Sequence, residues 1–376
     1  MSSGRSSTSN WSSMSTASVI DALAESTRTI SLTRQNVSLF PFQVSGHDVM
    51  FRVSIPPSKP PRKSSRPSSP VPSASEALVK LASQRELKFY GRVARTCPEL
   101  LRHIPTFEGF VVSDELDEYA IRSVMSSQAA RLSDEARAAV SPWSLSVLNG
   151  EVKKRKVGAE YIALTDLTLP FSKPCALDCK LGTAHHSQDR QVTKPVKYET
   201  AKTLGYCIGG VLMYDGSADG PLVHYDKYFG RQLTDTTIVR VLQDFLFCCT
   251  SSSYLRSQLV QAFLTELEPI LQLFKEQEMW RFHSTSLLLM YDATLAGPVP
   301  RVTVKLVDFA HAYLNTGREP GRELQVDAGC ILGITNLMAA MRTIGAAARG
   351  GHRRSPSTDL TSSTSSGKVR RAGRTG

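Results

Sequence analysis

Two short apolar stretches constrain this chain more than its overall composition does. The first is Pro174-Cys-Ala-Leu-Asp178-Cys-Lys180-Leu-Gly182, and the second is Val304-Lys-Leu-Val-Asp308-Phe309-Ala-His311. Both read as strands, and the first sets an Asp and a Lys two residues apart, hence on one face. In the second, Val302, Val304 and Leu306 alternate cleanly up to Asp308, a carboxylate that can hold a divalent metal. A metal anchor, a cation for the migrating phosphate and a group that positions the attacking oxygen are the parts of phosphoryl transfer. Either stretch alone is a weak signal, because a strand-end Asp is commonly a turn or cap residue. Together, in this order, they are specific.

The first stretch resembles the signature of the inositol polyphosphate kinase family, Pro-x-x-x-Asp-x-Lys-x-Gly. Tyr228-Phe-Gly230-Arg231-Gln-Leu233 is similar to that family's Tyr-Gly-Arg-x-Leu element. Ser284-Thr285-Ser286-Leu287-Leu288 resembles its Ser-Ser-Ser-Leu-Leu strand, with Thr at the middle position. Asp327-Ala-Gly329-Cys-Ile-Leu-Gly333-Ile-Thr-Asn336-Leu337 resembles its closing Asp-x-Gly-x-x-x-Gly-x-x-Asn-Leu segment. The similarities run in family order from about Pro41 to Met341. They imply an α+β fold: a two-lobed, kinase-like architecture of the inositol polyphosphate kinase, SAICAR synthase and protein-kinase type, with nucleotide between the lobes. ATP and Mg²⁺ are the implied cofactors.

The resemblance also implies roles. Asp308 takes the place of the metal-binding Asp, with the Ser286 hydroxyl on a neighbouring strand in support. Lys180 should meet the substrate or the transferring phosphate, and Asp178 either binds the nucleotide ribose or helps to place the attacking hydroxyl. Lys80 resembles the lysine that grips the nucleotide phosphates, with Glu86 as its helix partner. Ser45, Gly46 and His47 form the turn over those phosphates, Ser45 standing where the family has a Gly. Leu164, Thr165 and Asp166 form the hinge beside adenine, mostly through backbone groups. For a densely anionic ring the chain offers Lys180, Lys194, Lys197 and Lys202, with Arg190, His185 and His186 nearby and Arg231 and His311 inside matched segments.

Within the family, Pro41-Phe42-Gln43-Val44-Ser45-Gly46-His47 is similar to the Gln-Val-Gly-Gly-His loop of the hexakisphosphate kinases. The short gap from Lys80 to Arg85-Glu86 and the short path from Gly182 to Leu204-Gly205 agree with that branch. The long insertion of the trisphosphate 3-kinases is missing, while Tyr161 to Thr168 leans toward the multikinases. The balance favours a hexakisphosphate kinase that makes an inositol pyrophosphate. The alternatives are a multikinase acting on ring hydroxyls of tris- and tetrakisphosphates, and a silent kinase-like module that only binds inositol phosphates.

The formal charge of +11 invites a nucleic-acid reading until it is located. Residues 1–40, 56–75 and 349–376 carry +1, +4 and +6, which accounts for the whole excess. Those segments are rich in Ser, Pro and Gly and cannot bury enough apolar surface to order themselves, so they read as solvated segments open to anionic partners. Seven cysteines without a Cys-x-x-Cys pair argue against a disulfide framework and for a reducing compartment, cytoplasmic or nuclear. Cys175 and Cys179 lack a second ligand pair, so no zinc is expected there. No apolar run approaches a membrane span, and a monomer acting on a soluble inositol polyphosphate is expected.

The chain divides into a disordered leader at 1–36, an N-terminal lobe at 37–166 with a disordered basic insertion at 56–75, a C-terminal lobe at 167–348 and a disordered basic tail at 349–376. Order is expected from about Leu39. Strands are expected near 49–55, 77–81 and 161–164, with a helix at 86–93 and peripheral helix at 113–140. Two core helices follow at 234–248, with Thr234 as N-cap, and at 253–274.

Overall fold

The computed structural model describes residues 28–46, 48–56, 75–113, 116–150, 160–183, 197–297, 299–317 and 324–350. The N-terminal lobe runs through β1 (Thr29–Ser31), β2 (Val37–Leu39), β3 (Phe51–Ile55), β4 (Ser75–Ala82) and α1 (Gln84–Thr96). A short 3-10 helix (Pro98–His103), β5 (Phe107–Val112), α2 (Glu118–Ala130), α3 (Asp134–Ala138), α4 (Pro142–Leu148) and β6 (Glu160–Thr165) complete it. The C-terminal lobe opens with β7 (Pro174–Leu181), α5 (Glu199–Leu204), β8 (Tyr206–Tyr214), β9 (Leu222–Tyr225) and α6 (Lys227–Gly230). It continues through α7 (Thr237–Phe247), α8 (Ser253–Glu276), β10 (Trp280–Arg281), β11 (Ser286–Asp292), β12 (Val302–Val307), β13 (Tyr313–Leu314) and α9 (Ala328–Gly350).

The first lobe is built on one six-stranded sheet in the order β1-β5-β6-β4-β3-β2, antiparallel except for the parallel β1–β5 pair. The second is built on an antiparallel five-stranded sheet, β12-β11-β7-β8-β9, with β10 and β13 as a separate pair. On β4, Ala77 and Val79 join Phe51, Val53 and Ala163 in the core of the first lobe. The two-residue period then turns Leu78 and Lys80 toward the other lobe. β7 and β8 are covered on both faces, which is why their sequences read as nearly unbroken apolar runs.

Helix α1 joins the two halves. Ser83 caps it by accepting from the Glu86 backbone N–H at 3.3 Å, and Leu87, Tyr90 and Val93 lie along its buried face. The Phe89 ring stacks on Phe309 with centroids 3.9 Å apart and meets Trp280 edge-on at 4.9 Å. Such ring pairs contribute about 0.5–1.5 kcal/mol each beyond their burial. One continuous core therefore runs from α1 through Leu287, Leu306 and Phe309 of the second lobe.

The closing segment at Asp327–Leu337 is an architectural device. The Asp327 carboxylate accepts from the Phe282 N–H at 3.1 Å and the Cys330 N–H at 3.2 Å, holding the start of α9 against the strand region before β11. A Cβ on Gly333 would sit 2.1 Å from the Gly205 carbonyl oxygen, and the Asn336 amide donates to the Leu204 carbonyl at 3.0 Å. Helix α9 thus lies directly against the turn between α5 and β8.

Several expectations need correction. Order begins by residue 28, not near Leu39, because β1 pairs with β5 and the Leu32 N–H donates to Val112 O at 2.9 Å. The leader therefore cannot extend to residue 36. The 113–140 helix is two helices, and α2 is not peripheral: Ile121, Met125 and Ala129 enter the lobe core. Thr236, not Thr234, precedes α7 as its N-cap, although Thr234 Oγ1 still accepts from the Thr237 N–H at 3.3 Å. Ala328–Ala348 is long and apolar enough to cross a membrane by length and composition, contrary to expectation. Cys330, Ile334, Leu337, Met338, Met341 and Ile344 on that helix are nonetheless buried against the lobe core. Helix α9 continues to Gly350. Residues 57–74 and 351–376, within the expected insertion and tail, lie outside the described residues.

Candidate active site

A cleft open to solvent lies between the two sheets and is lined by both. Lys80 enters it from β4, and its Nζ lies 3.0 Å from Glu86 Oε1 and 3.0 Å from Asp308 Oδ1. Glu86 sits in the first turn of α1, fully buried, and also accepts from the Phe309 N–H at 3.4 Å. Burial opposes the charge on Lys80, but Glu86 and Asp308 outweigh it and hold its pKa above the ordinary lysine value.

Asp308 follows β12 with φ of 65°, a left-handed conformation that costs an Asp less than it would cost Val307 or Phe309. The Thr285 hydroxyl donates to its carbonyl at 3.1 Å and fixes that bend. Burial works against ionisation of the carboxyl, yet the Lys80 and Lys180 ammonium groups prevail and bring its pKa to about 2. His311 adds to the same field, which places it near the centre.

Strand register assembles the rest. Ser286 on β11 pairs with Lys180 on β7 and with Val307 on β12, so Lys180, Ser286 and the residue before Asp308 form one row. Lys180 Nζ donates to Ser286 Oγ at 3.2 Å and lies 4.0 Å from Asp178 Oδ1. Burial again opposes the Lys180 charge, and Asp178 and Asp308 again raise its pKa. Lys180 is a cation here, not a base.

Asp178 is almost fully buried. Its Oδ2 accepts from the Ser45 hydroxyl, while Oδ1 has no hydrogen-bond partner. The side chain lies over Gly209 of β8, where a Cβ would come within 2.9 Å of Oδ1. A buried, unpartnered carboxylate oxygen facing a cleft is an acceptor waiting for a donor. The Gln43 amide closes the adjoining turn by donating to the Ser45 and Asp48 carbonyls at 3.0 Å each, and Gly46 has φ of 97°. His47 lies outside the described residues.

Leu164, Thr165 and Asp166 line the same cleft. The Asp166 carboxylate is already committed: it accepts from Arg52 Nε at 2.6 Å and from the Thr168 N–H and hydroxyl at 2.8 and 2.6 Å. The Thr165 hydroxyl donates to Glu108 Oε1 at 3.0 Å. Only the backbone of this segment remains for a ligand. Arg52 is a residue that sequence reasoning missed, since it reads as an ordinary polar position of an alternating strand.

The Arg231 guanidinium lies over the Tyr228 ring at 5.0 Å and the Tyr198 ring at 5.7 Å, and Lys180 acts electrostatically on Tyr198. Tyr198, which links Arg231 to Lys180, was also missed. Lys197 is exposed beside α5, and Lys202 on that helix pairs with Glu199 at 3.2 Å. The structure does not bring either into contact with the Lys80–Asp308 centre. Lys194, Arg190, His185 and His186 lie outside the described residues.

The donor set suits the implied ligands. The Asp308 carboxylate and Ser286 hydroxyl are hard oxygen donors of the kind Mg²⁺ takes, and the orphaned Asp178 oxygen suits a sugar or ring hydroxyl.

A family profile described as inositol polyphosphate kinase matches residues 161–342. The chain is 28% identical over 204 residues to inositol hexakisphosphate kinase 3 of Mus musculus, covering 49% of this chain and 50% of that protein. It is 27% identical over 244 residues to inositol hexakisphosphate kinase 3 of Homo sapiens, covering 55% and 58%. The chain thus spans about half the length of the curated relatives it matches. Among solved structures, inositol phosphate multikinase Ipk2 from S. cerevisiae, in complex with ADP and Mn²⁺, matches 70% of this chain and 98% of its own at 21% identity, with a TM-score of 0.49. The profile match contains Asp178, Lys180, Ser286 and Asp308, which strand register brings together, so over residues 161–342 the chain is similar to the inositol polyphosphate kinase family.

Proposed function

We propose that this protein is an ATP- and Mg²⁺-dependent inositol phosphate kinase whose substrate is inositol hexakisphosphate and whose product is an inositol pyrophosphate. The observation that carries the reading is the pair of lysines, Lys80 and Lys180, both held protonated around Asp308 at the cleft. A hexakisphosphate offers no free hydroxyl, so the acceptor is a phosphate oxygen. Such a site needs cations more than it needs a base.

In this reading the nucleotide enters between the sheets, with adenine against the Leu164–Asp166 backbone and phosphates toward Lys80. Asp308, with Ser286 in support, would hold a Mg²⁺ ion, and the charge neutralisation of the transferring phosphate would be its contribution there. Lys80 then yields its contact with Asp308 to the phosphates and keeps Glu86, which holds the ammonium in place. Lys180 meets the charge that builds on the moving group, where a fixed cation stabilises the transition state. Asp178 Oδ1 takes a ribose hydroxyl or orients the acceptor. The whole would operate as a monomer in a reducing compartment, cytoplasmic or nuclear.

The test is purified protein with ATP and Mg²⁺, offered inositol phosphates from tris- to hexakisphosphate. Conversion of hexakisphosphate to a product with one more phosphate is expected. Rapid turnover of trisphosphate with hexakisphosphate untouched would replace this reading by the multikinase one, toward which Tyr161–Thr168 leans. Binding without turnover across the panel would leave a silent module.

A further inference from the structure

On the face of β7 away from the cleft, Cys175 meets two cysteines distant from it in sequence. Cys175 lies three residues before Asp178, and Cys248 and Cys249 follow directly on α7. The Cys175 and Cys249 sulfurs are 3.9 Å apart, those of Cys248 and Cys249 are 3.3 Å apart, and all three lie within 4.8 Å of one another. We propose that Cys175, Cys248 and Cys249 form a thiolate site for one zinc ion.

Zinc–thiolate bonds of about 2.3 Å place the ligand sulfurs of one ion roughly 3.8–4.0 Å apart. The cluster is already close to that spacing. Its ligands are soft, so it selects against the hard Mg²⁺ that suits the oxygen donors around Asp308. A disulfide fits the geometry less well. Cys248 and Cys249 are adjacent across a trans peptide, which sets their Cα atoms about 3.8 Å apart, below the roughly 4.4 Å that a disulfide needs. A Cys175–Cys249 bridge would leave the third sulfur unused, whereas a cation uses all three.

The surroundings complete the site. The Tyr291 hydroxyl donates to the Phe245 carbonyl at 2.7 Å and lies 3.0 Å from Cys248 Sγ, so its oxygen faces the sulfurs with lone pairs to spare. Cys175 is buried, but Cys248 and Cys249 are half-buried and give an ion a way in. Arg256 donates to the Thr250 carbonyl at 2.9 Å, which sets a guanidinium beside the segment to offset the negative charge of three thiolates on one divalent ion. A bound ion would pin the α7–α8 connection to the strand that carries Asp178 and Lys180.

The site is tested on the full chain, isolated under reducing conditions, by metal analysis and by titration with cobalt(II) followed by absorption. Expected results are about one zinc per chain, a thiolate-to-cobalt charge-transfer band displaced by zinc, and a rise in Tm on zinc addition. The half-buried variants Cys248→Ser and Cys249→Ser should each lose at least tenfold in zinc affinity, while Asp308→Asn keeps it. Zinc retained in Cys249→Ser but lost in Asp308→Asn would assign the ion to the cleft instead. Absence of both uptake and the charge-transfer band, or a disulfide among these cysteines in the native protein, would overturn the proposal outright.

Discussion

Lys80 stands between two carboxylates with different duties, and its neighbours show how to separate them. Glu86 is buried within the core that joins the lobes, whereas Asp308 is partly exposed to the cleft. Lys80→Met should therefore abolish turnover and also destabilise the fold by about 3 kcal/mol, since it strands a buried charge. The double variant Lys80→Met with Glu86→Leu should recover most of that stability in urea denaturation and none of the activity. Asp308→Asn should leave the protein folded and lower kcat/KM at least about a hundredfold, as expected when a charge-stabilising partner is lost. Normal turnover with ordinary Mg²⁺ dependence in that variant would remove Asp308 from the metal role. The same carboxylate makes a pH prediction. Its pKa is about 2 in the folded chain against about 3.9 unfolded, so its contribution to stability is present above pH 4 and lost as pH falls through 2. Denaturation of wild type and Asp308→Asn should thus differ at neutral pH and converge in acid.

Strand β8 shows how an element with no chemistry of its own shapes the site. Gly209 leaves room for the Asp178 carboxylate, and a Cβ on Gly210 would lie 2.6 Å from the Val44 carbonyl oxygen in the loop that carries Ser45. Gly209→Ala should displace Asp178, cost about 1–3 kcal/mol of stability from overpacking and reduce turnover, chiefly through nucleotide or acceptor KM if Asp178 binds a hydroxyl. An unchanged KM for both ligands would show that Asp178 only positions the loop. The glycine pair was not legible as a site feature, because its reason lies across the sheet at Asp178 and across the cleft at Val44. Strand β7 was legible, since a central strand writes its burial and its two polar residues into consecutive positions. The Asp166–Arg52 pair was not, and neither was β1: each depends on a partner about eighty or more residues away, and a three-residue edge strand carries too little pattern to stand out. The cysteine cluster was hidden for the same reason. Cys175 was weighed with Cys179 on its own strand, whereas its partner Cys249 lies 74 residues on, past α7.

At the scale of the whole molecule, the net positive charge lies in residues 1–40, 56–75 and 349–376, while a local run of cations flanks α5. Removing residues 1–27 and 351–376 should leave kcat/KM within about tenfold, roughly 1.4 kcal/mol, because no matched segment lies in either. Extending the first deletion to residue 36 should lower Tm, because it takes away β1 and its pairing with β5. Substrate choice is the harder question, and the proposed reading assigns it to Lys194, Lys197 and Lys202. The last two are exposed, and among the described residues Lys202 pairs with Glu199, a surface pair of the kind worth about 0–1 kcal/mol. Such a lysine is easily redirected to an incoming polyphosphate, and its attraction should be long-range and screened by salt over about 8–10 Å. Converting all three to Gln should therefore slow hexakisphosphate turnover more than trisphosphate turnover, because the more anionic ring draws more from the same field. The salt dependence of kcat/KM for hexakisphosphate should flatten in that variant, while Arg231, stacked between Tyr198 and Tyr228, continues to position the ring. Equal losses for both substrates at unchanged salt dependence would mean that these lysines act on the fold of α5, and that selectivity for the ring is set at Lys180 and Arg231 instead.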